Sequence, residues 1–351
     1  MQLLRDFPLS FKESKTFLTL VDDSDQDLFP VVYSTLAPRA LISLVERNFR
    51  VETITNCQFW HRGLSDVYLI ETLSKPYILR VSHHHWRTQS EIQFELDLLT
   101  FLNNHNLPVS APLTSKAGEL SIEINAPEGK RYAALFPFAP GNVPLGDLNT
   151  TQSFLFGQVV ARLHQVGQHF TSLSARQPLA PEYLLEESLQ VIAPCLPKSC
   201  QVGYLTEAIT HIREQLKALP METPYWGICW GDPHSGNVHF TDNNQMTLFD
   251  FDQCGYGWRA FDLGKFLQVS LQSGLSRKVR DAFLEGYQSV EPLTAIELSC
   301  LQALTQTAYI WSWAICLNTM KLHDYSRLDP FFFSHRLERL KCLRSADWQL
   351  F

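Results

Sequence analysis

Residues 230–252 read WGDPHSGNVHFTDNNQMTLFDFD, two short apolar runs on either side of a polar turn. Apolar runs joined in this way predict a β-hairpin. If Asn243 and Asn244 form a two-residue type I′ turn, a conformation that Asn tolerates, then Asn237 falls directly opposite Asp250. Residues paired across two strands lie roughly 5 Å apart. An amide oxygen and a carboxylate are therefore predicted to meet at the open end of the hairpin.

The residue types at this open end indicate a chemistry. Asn237 and Asp250 offer hard oxygen ligands of the kind that suit Mg²⁺, an ion that keeps much of its shell for substrate and water. Asp232 lies on the preceding loop, where its carboxylate can accept the proton of an attacking hydroxyl. Phosphoryl transfer needs this division between a group that orients the nucleophile and a metal that neutralises phosphate charge.

Two other interpretations of the same residues stay open at this point. One is an acidic hairpin whose carboxylates are simply solvated. The other is a hydrolase metal site, built from Asp232, His234, His239, Asp250 and Asp252. The metal site is the weaker alternative, because successive residues of a strand face opposite sides and His239 would point away from one of its supposed partners.

As whole motifs, these segments resemble a known superfamily. WGDPHSGN at 230–237 followed by LFDFD at 248–252 is similar to the catalytic loop and metal-binding segment of the aminoglycoside phosphotransferase and choline kinase-like superfamily. GWRAFDLG at 257–264 resembles the segment that follows them. Within the superfamily the layout of residues 29–345 most resembles the bacterial stress-response Ser/Thr kinase group, through LAP at 36–38, LRV at 79–81, Trp86 and LPV at 107–109.

The resemblance implies a role for each matching residue. Asp232 takes the place of the catalytic base, and Asn237 and Asp250 take the places of the metal ligands. Asp262 corresponds to a structural acid that braces the catalytic loop. Trp230 stands where the superfamily usually has His, a position whose role is mostly architectural.

The resemblance also implies an ATP site in the amino-terminal half. GLSDVY at 63–68 occupies the place of the phosphate-covering loop, with a single glycine where several are usual. Arg80 stands in the strand that normally offers a Lys, and its planar fork can still bind phosphate. Glu95 falls where the partner of that Lys would lie, and the strand at 133–138 would present backbone groups to adenine. The residues expected at the nucleotide are Gly63, Ser65, Arg80, Glu95, Phe136 and Phe138.

The order of helical and strand patterns predicts an α+β, bilobal, protein-kinase-like fold. Strand patterns at 67–70 and 77–81 and a helical pattern at 90–102 indicate a small α+β lobe over residues 31–138. Helical patterns at 152–170, 203–219, 277–288 and 294–320 indicate a larger, mostly helical lobe over residues 139–351. Residues 1–30, which include an acidic cluster, are expected to form an arm before the two lobes.

Composition argues against several classes of function. The net charge of −7, with no run of Lys and Arg interleaved with aromatics, argues against a nucleic-acid partner. The apolar stretch at 300–317 is interrupted by Gln302, Gln306 and Ser312, which favours a buried helix over a membrane span. The first residues lack the apolar core of a signal peptide, and the eight cysteines show no regular spacing. We therefore expect a cytoplasmic protein with reduced thiols.

The phosphate acceptor is left open by the sequence. The stress-response group implies a protein Ser/Thr hydroxyl, whereas the wider superfamily implies a small alcohol such as an amino alcohol, a sugar or an aminoglycoside. An alternative from another class is a nucleotide-binding pseudokinase that docks a partner, suggested by Arg80, Trp230 and the single-glycine turn. The presence of Asp232, Asn237 and Asp250 argues against that alternative.

Overall fold

A five-stranded antiparallel sheet forms the amino-terminal lobe of a computed structural model, which describes residues 29–144, 147–323 and 328–350. Its strands are β1 (Ile54–Arg62), β2 (Ser65–Thr72), β3 (Pro76–Ser82), β4 (Ile122–Ala126) and β5 (Gly129–Pro137). They lie in the order β1-β2-β3-β5-β4. β2 and β3 confirm the strands predicted at 67–70 and 77–81. The arm expected over residues 1–30 lies almost wholly outside the described residues.

Two helices accompany this sheet. α1 (Pro38–Asn48) begins with a proline, whose fixed φ suits the first helical turn, and packs its apolar stripe into a core with the sheet. α2 (Gln89–Asn104) begins at a capping box in which Thr88 and Glu91 exchange hydrogen bonds. The buried apolar residues of α2 belong to the core of the second lobe. α2 therefore joins the sheet to the rest of the protein.

The carboxyl-terminal lobe is mostly helical. Its helices are α3 (Thr150–Gly167), a π-helical turn (Glu182–Glu187), α4 (Ser188–Ile192), α5 (Ser199–Leu216), α6 (Arg259–Ser273), α7 (Arg277–Gln288), α8 (Ala295–His323) and α9 (Pro330–Arg344). Two small antiparallel sheets lie among them, formed by β6 (Trp226–Cys229) with β9 (Gly255–Trp258) and by β7 (Val238–Phe240) with β8 (Met246–Leu248). Within the described ranges, no helix has both the length and the apolarity to cross a bilayer.

The predicted bilobal α+β fold is confirmed, and most of the predicted helices lie where expected. The pattern at 277–288 matches α7, and the pattern at 152–170 overlaps α3. α6 was not predicted, although it carries residues of the site. The reason is burial: even Arg259, Asp262 and Lys265 are buried along this helix. Charged residues usually mark the solvent-facing side of a helix, so their burial here leaves the sequence a poor guide to this helix.

Candidate active site

A cleft of about 660 Å³ opens between the two lobes. The predicted residues that line it are Gly63, Arg80, Phe136 and Phe138 from the first lobe and Asp232, Asn237 and Asp250 from the second. Two predicted residues are not part of the lining. Ser65 is buried in the sheet opposite Ser82, and Glu95 is buried behind Arg80.

Asp262 of α6 binds the backbone of the loop that carries Asp232. The backbone N–H groups of Trp230 and Gly231 donate to the two carboxylate oxygens of Asp262 at 2.7 and 2.8 Å. His164 of α3 lies 2.9 Å from the same carboxylate and makes its other ring contact with the Tyr287 hydroxyl, also at 2.9 Å. The brace that the resemblance implies for Asp262 thus consists of two backbone hydrogen bonds to the catalytic loop. His164 is a buried histidine with both ring nitrogens satisfied.

Gly231 lets this loop pack directly against the segment that carries Asp250. Its φ is +86°, in the left-handed region, and a Cβ at this position would lie 2.0 Å from the carbonyl oxygen of Gln253. Such a distance is far below van der Waals contact, so any side chain would push the two segments apart. The backbone position of the residue before Asp232 is therefore set by glycine.

Asp232 is surrounded by hydrogen-bond donors. The Gln253 amide donates to Oδ2 at 2.9 Å, and the Lys265 ammonium lies 3.2 Å from Oδ1. The His234 ring accepts the Gly236 N–H at Nδ1, which leaves Nε2 as the N–H that faces Asp232 at 3.6 Å. Burial opposes ionisation, but Lys265 and then His234 hold the pKa of Asp232 well below its usual range. The group is therefore a carboxylate at neutral pH.

Asn237 is oriented by the same carboxylate-bearing residue. Its Nδ2 donates to the Asp232 carbonyl at 3.1 Å and lies 3.4 Å from Asp232 Oδ2. Because the amide nitrogen faces Asp232, the Oδ1 atom of Asn237 faces away from it, as a metal ligand would require.

The hairpin differs from the predicted one by a single residue in register. Val238 pairs with Leu248, and Phe240 pairs with Met246, so Asn237 lies opposite Phe249 and accepts its N–H at 3.1 Å. The turn is longer than the type I′ turn expected at 243–244, with Asn244 at a φ of +57°. Three-residue loops of this kind end in a left-handed residue, which Asn tolerates. The predicted direct pairing of Asn237 with Asp250 was therefore wrong.

Asp250 reaches the cleft through an unusual backbone conformation instead of through strand pairing. Its φ is +60°, which is uncommon for a residue other than glycine. The Trp230 indole N–H donates to the Asp250 carbonyl at 2.9 Å, and the indole stacks on Phe251 at 5.0 Å. Trp230 therefore ties the catalytic loop to the segment with Asp250, which is how a Trp serves at a position where His is usual.

Asp250 carries negative charge that lacks full compensation. Removal from bulk water at the base of the cleft, followed by repulsion from Asp252, Glu95 and Asp232, raises its pKa to about 7, although Arg80 opposes the shift. The nearest Arg80 nitrogen is 3.8 Å away, and 53 % of the Asp250 side chain is open to the cleft. A carboxylate in this position favours binding of a cation.

On the opposite wall, Arg80 is held by a two-point contact. Its two terminal nitrogens donate to the two oxygens of Glu95 at 2.6 and 2.7 Å, and Glu95 is fully buried. The guanidinium also lies over the Phe136 ring at 5.2 Å. A bidentate pair of this kind fixes the plane of the guanidinium at the edge of the cleft.

Gly63 lies in the turn that is expected to cover the phosphates. The Gly63 N–H donates to the Ser65 carbonyl at 3.0 Å, and a Cβ on Gly63 would approach the His61 ring no closer than 3.5 Å. This turn lines the cleft without needing glycine for its backbone. The Gly63 N–H is thus engaged within the turn, and the position of Gly63 does not depend on a glycine-specific conformation.

The hydrolase alternative does not agree with this geometry. His239 Nδ1 lies 2.8 Å from the Ala139 carbonyl oxygen and ties β7 to the hinge, the segment that directly follows β5. Asp252 is buried and accepts the Trp86 indole N–H, and Arg87 donates to its carbonyl at 3.0 Å. These two side chains serve in contacts between the lobes, so the five residues of the alternative do not form one ligand set.

Similarity to known proteins agrees with this geometry. Residues 57–298 match the family model described as "Phosphotransferase enzyme family". The chain belongs to that family. A protein of Synechocystis sp. is 60% identical over 326 residues, which cover 93% of this chain and 90% of that protein. A homoserine kinase of Polaromonas naphthalenivorans is 28% identical over 260 residues, covering 70% of this chain and 76% of that kinase.

A solved structure shares the fold of this phosphotransferase. An amicoumacin kinase in complex with AMP-PNP and Ca²⁺ superposes with a TM-score of 0.73 at 20% identity, covering 86% of this chain and 92% of that one. The predicted family and the predicted enzyme class are thereby confirmed.

Sequence reasoning missed two side chains that hold Asp232 in this phosphotransferase. Gln253 directly follows the predicted metal segment, and Lys265 lies one helical turn beyond Asp262. The spacing of Lys265 from Asp262 was a usable signal, because residues three apart on a helix share a face. It could be used only once 259–273 was known to be helical.

Proposed function

We propose that this phosphotransferase moves the γ-phosphate of Mg-ATP to the hydroxyl of a small molecule, with Asp232 as the base and Asn237 and Asp250 as the metal ligands. One observation carries the proposal: the three residues meet on one wall of the cleft, and the Arg80 guanidinium, fixed by Glu95, faces them.

The oxygen atoms on this wall fit Mg²⁺. Asn237 Oδ1 faces away from Asp232, and the Asp250 carboxylate is partly open and crowded by other carboxylates, so both favour a hard cation. When bound, Mg²⁺ supplies positive charge to the phosphates. The donor set contains no thiolate and no imidazole, which would suit softer metals better.

The role of Asp232 follows from its surroundings. Its carboxylate is ionised and still has lone pairs beyond those used by Gln253 and Lys265, so it can accept a hydrogen bond from the acceptor hydroxyl. Its low pKa makes it a weak proton acceptor before bonds begin to change. The residue therefore orients the hydroxyl and receives the proton late, which a loose phosphoryl-transfer transition state allows.

The other wall of the cleft supports the nucleotide assignment. Arg80 presents a fixed guanidinium, and the turn at Gly63 lines the same cleft with Phe136 and Phe138. We further propose that the lobes divide near residue 138 and that the protein acts in the cytoplasm. A small acceptor is proposed because the relatives described above are named for homoserine and amicoumacin.

A transfer assay tests the proposal. Purified protein is incubated with γ-labelled Mg-ATP and, in separate reactions, homoserine, choline, an aminoglycoside or a desalted extract of cell proteins. We expect label on a small molecule from the wild type, and a loss of about a thousandfold in Asp232→Asn. If Asp232-dependent label appeared on Ser or Thr of a protein, the acceptor would be a protein and not a small molecule. ATP binding without Asp232-dependent transfer to any acceptor would overturn the proposal and favour the docking alternative.

The metal assignment has its own test. Asp250→Asn keeps the size of the side chain but removes its charge, so we expect the Mg²⁺ concentration for half-maximal turnover to rise at least about tenfold. The matched control is Asp242→Asn, an exposed carboxylate in the hairpin turn, which should leave the Mg²⁺ requirement unchanged. An unchanged Mg²⁺ requirement in Asp250→Asn would remove Asp250 from the metal site.

A further inference from the structure

Lys265 is a buried cation that touches the predicted base. Its ammonium lies 3.2 Å from Asp232 Oδ1 and donates to the Ser312 hydroxyl at 2.7 Å, with only 5 % of the side chain exposed. The catalytic loop at 230–237 contains no Lys or Arg of its own. The full positive charge beside the base is therefore supplied by α6, a separate element of the fold.

α6 holds the catalytic loop at two points. Asp262 accepts the backbone N–H groups of Trp230 and Gly231, and Lys265, one turn later on the same face, contacts the side chain of Asp232. One helix thereby sets both the path of the backbone and the position of the carboxylate. A rigid element that does both fixes the base relative to the loop that carries it.

The surroundings of Lys265 limit where its ammonium can lie. The Ser312 hydroxyl of α8 accepts a hydrogen bond from the Lys265 ammonium, and the Trp311 ring centre is 5.8 Å from the ammonium nitrogen. A buried ammonium is costly unless it is paired, so it stays where a carboxylate and a hydroxyl satisfy it. On the far side of Asp232, the Gln253 amide holds Oδ2 at 2.9 Å. The carboxylate is thus held at both oxygens by groups from different parts of the chain.

We propose that Lys265 is a positioning residue for phosphoryl transfer, which holds Oδ1 of Asp232 so that the remaining lone pairs of the carboxylate face the acceptor hydroxyl. This inference rests on the proposed function of Asp232. Holding the base in one orientation matters because a displacement of about 1 Å can lower a rate by about a hundredfold. Lys265 acts through Asp232, whereas Arg80 and the hinge face the nucleotide.

The kinetic test separates positioning from nucleotide binding. ADP release from Mg-ATP is measured with homoserine and with water alone as acceptors, for wild type, Lys265→Met, Lys265→Arg and Ser312→Ala. We expect Lys265→Met to lower kcat about a hundredfold with the KM for Mg-ATP within about twofold of wild type. Lys265→Arg should recover at least about tenfold of that loss because it keeps the charge, and Ser312→Ala should lose no more than about fivefold. An unchanged kcat in Lys265→Met, or a kcat loss that Arg does not recover, would overturn the proposal.

A thermal measurement tests the contact without any turnover. Lys265→Met is made in the wild type and in Asp232→Asn, and Tm is measured for all four proteins. We expect Lys265→Met to lower Tm in the wild type, where it leaves a buried carboxylate uncompensated, and to leave or raise Tm in Asp232→Asn. An equal decrease in both backgrounds would show that Lys265 does not hold Asp232 and would reject the inference. A wild type without Asp232-dependent ADP release with any acceptor of the transfer assay would reject the proposed function, while the thermal result still decides whether Lys265 holds Asp232.

Discussion

Two loops from opposite lobes contribute residues to the cleft, the turn at Gly63 and the loop at 230–237 with the proposed base, and Gly63 and Gly231 differ in their surroundings. At Gly231, a Cβ would lie 2.0 Å from a backbone carbonyl oxygen, and φ is +86°. At Gly63, a Cβ would meet nothing closer than a His61 ring atom at 3.5 Å. The backbone is strictly determined beside the proposed base and tolerant at the turn proposed to cover the nucleotide.

The contacts around the two loops show the same difference. The loop at 230–237 is held by Asp262, which accepts its backbone N–H groups, and by Lys265, which contacts Asp232, while its own Trp230 indole donates to the Asp250 carbonyl. The turn at Gly63 is closed by its own backbone hydrogen bond to Ser65. Transfer to a hydroxyl needs a base placed to within a fraction of an ångström, whereas covering the phosphates needs only a close approach of backbone. The loop at 230–237 accordingly has more contacts that fix it than the turn at Gly63.

The largest expected effect that tests this comparison is at Gly231. In Gly231→Ala, the Cβ pushes the catalytic loop away from the Gln253 carbonyl, and alanine must adopt a left-handed conformation. We expect kcat for phosphate transfer to fall at least about a hundredfold and Tm to fall by several degrees. Steady-state kinetics and thermal unfolding measure both. Activity within a few-fold of wild type would show that the loop is not as tightly determined as its packing indicates.

A smaller effect is expected on the nucleotide side, at Arg80. Arg80→Lys keeps the charge but cannot contact both Glu95 oxygens as a planar fork, so one of two charged hydrogen bonds is lost. We expect the KM for ATP to rise about tenfold, with a smaller change in kcat. Titration of ATP in the transfer assay measures this change. If kcat fell strongly while the KM for ATP stayed constant, Arg80 would act in the transfer step beside Asp232 and not in ATP binding.

A substitution at Trp230 tests how strongly the loop at 230–237 and Asp250 depend on a single hydrogen bond. Trp230→Phe preserves an aromatic ring next to Phe251 but removes the indole N–H that donates to the Asp250 carbonyl. We expect kcat to fall about fivefold and the Mg²⁺ requirement to rise by a similar factor, since Asp250 loses one support of its left-handed backbone. Kinetics at varied Mg²⁺ provide the check. An unaltered Mg²⁺ requirement would mean that packing alone holds Asp250.

The smallest effect is expected from the matched substitution in the opposite loop. Gly63→Ala meets no atom at less than ordinary contact distance, and the φ of Gly63 is not left-handed. We expect kcat, the KM for ATP and Tm to stay within about twofold or 2 °C of the wild type. A large loss would show that the phosphates approach the turn too closely for a methyl group, and the contrast between the two loops would disappear.

Much of the site was accessible from the sequence because its residues lie within a short stretch. Asp232, Asn237 and Asp250 lie within about twenty residues of each other, and their residue types indicated the chemistry before any fold was known. The pairing of Arg80 with Glu95 was implied by resemblance and is present at 2.6 and 2.7 Å. The hairpin register was wrong by one residue, because a run of polar residues in a turn does not specify which of them leaves the ladder.

Ser65 shows the limit of transferring a position by resemblance. It follows the turn at Gly63 in the sequence, yet its side chain is buried in the sheet opposite Ser82. Gly63 lies in the turn between β1 and β2, whereas Ser65 begins β2 and is paired with β3, so two residues this close in the sequence have different environments. Gly63 therefore lines the cleft, whereas the Ser65 side chain does not.

The sequence by itself indicated the amphipathic elements and the family, and it singled out Asp232, Asn237 and Asp250 as the proposed base and metal ligands, because these inferences depend on residue types at short spacing. The tertiary structure alone decided that Asp250 adopts a φ of +60° and that the brace implied for Asp262 consists of hydrogen bonds from the Trp230 and Gly231 N–H groups. It also brought Lys265 and Gln253 to opposite oxygens of Asp232. These contacts join separate elements of the fold, and a buried charge such as Lys265 of α6 is stable only where it meets a partner, which residue types at short spacing do not place.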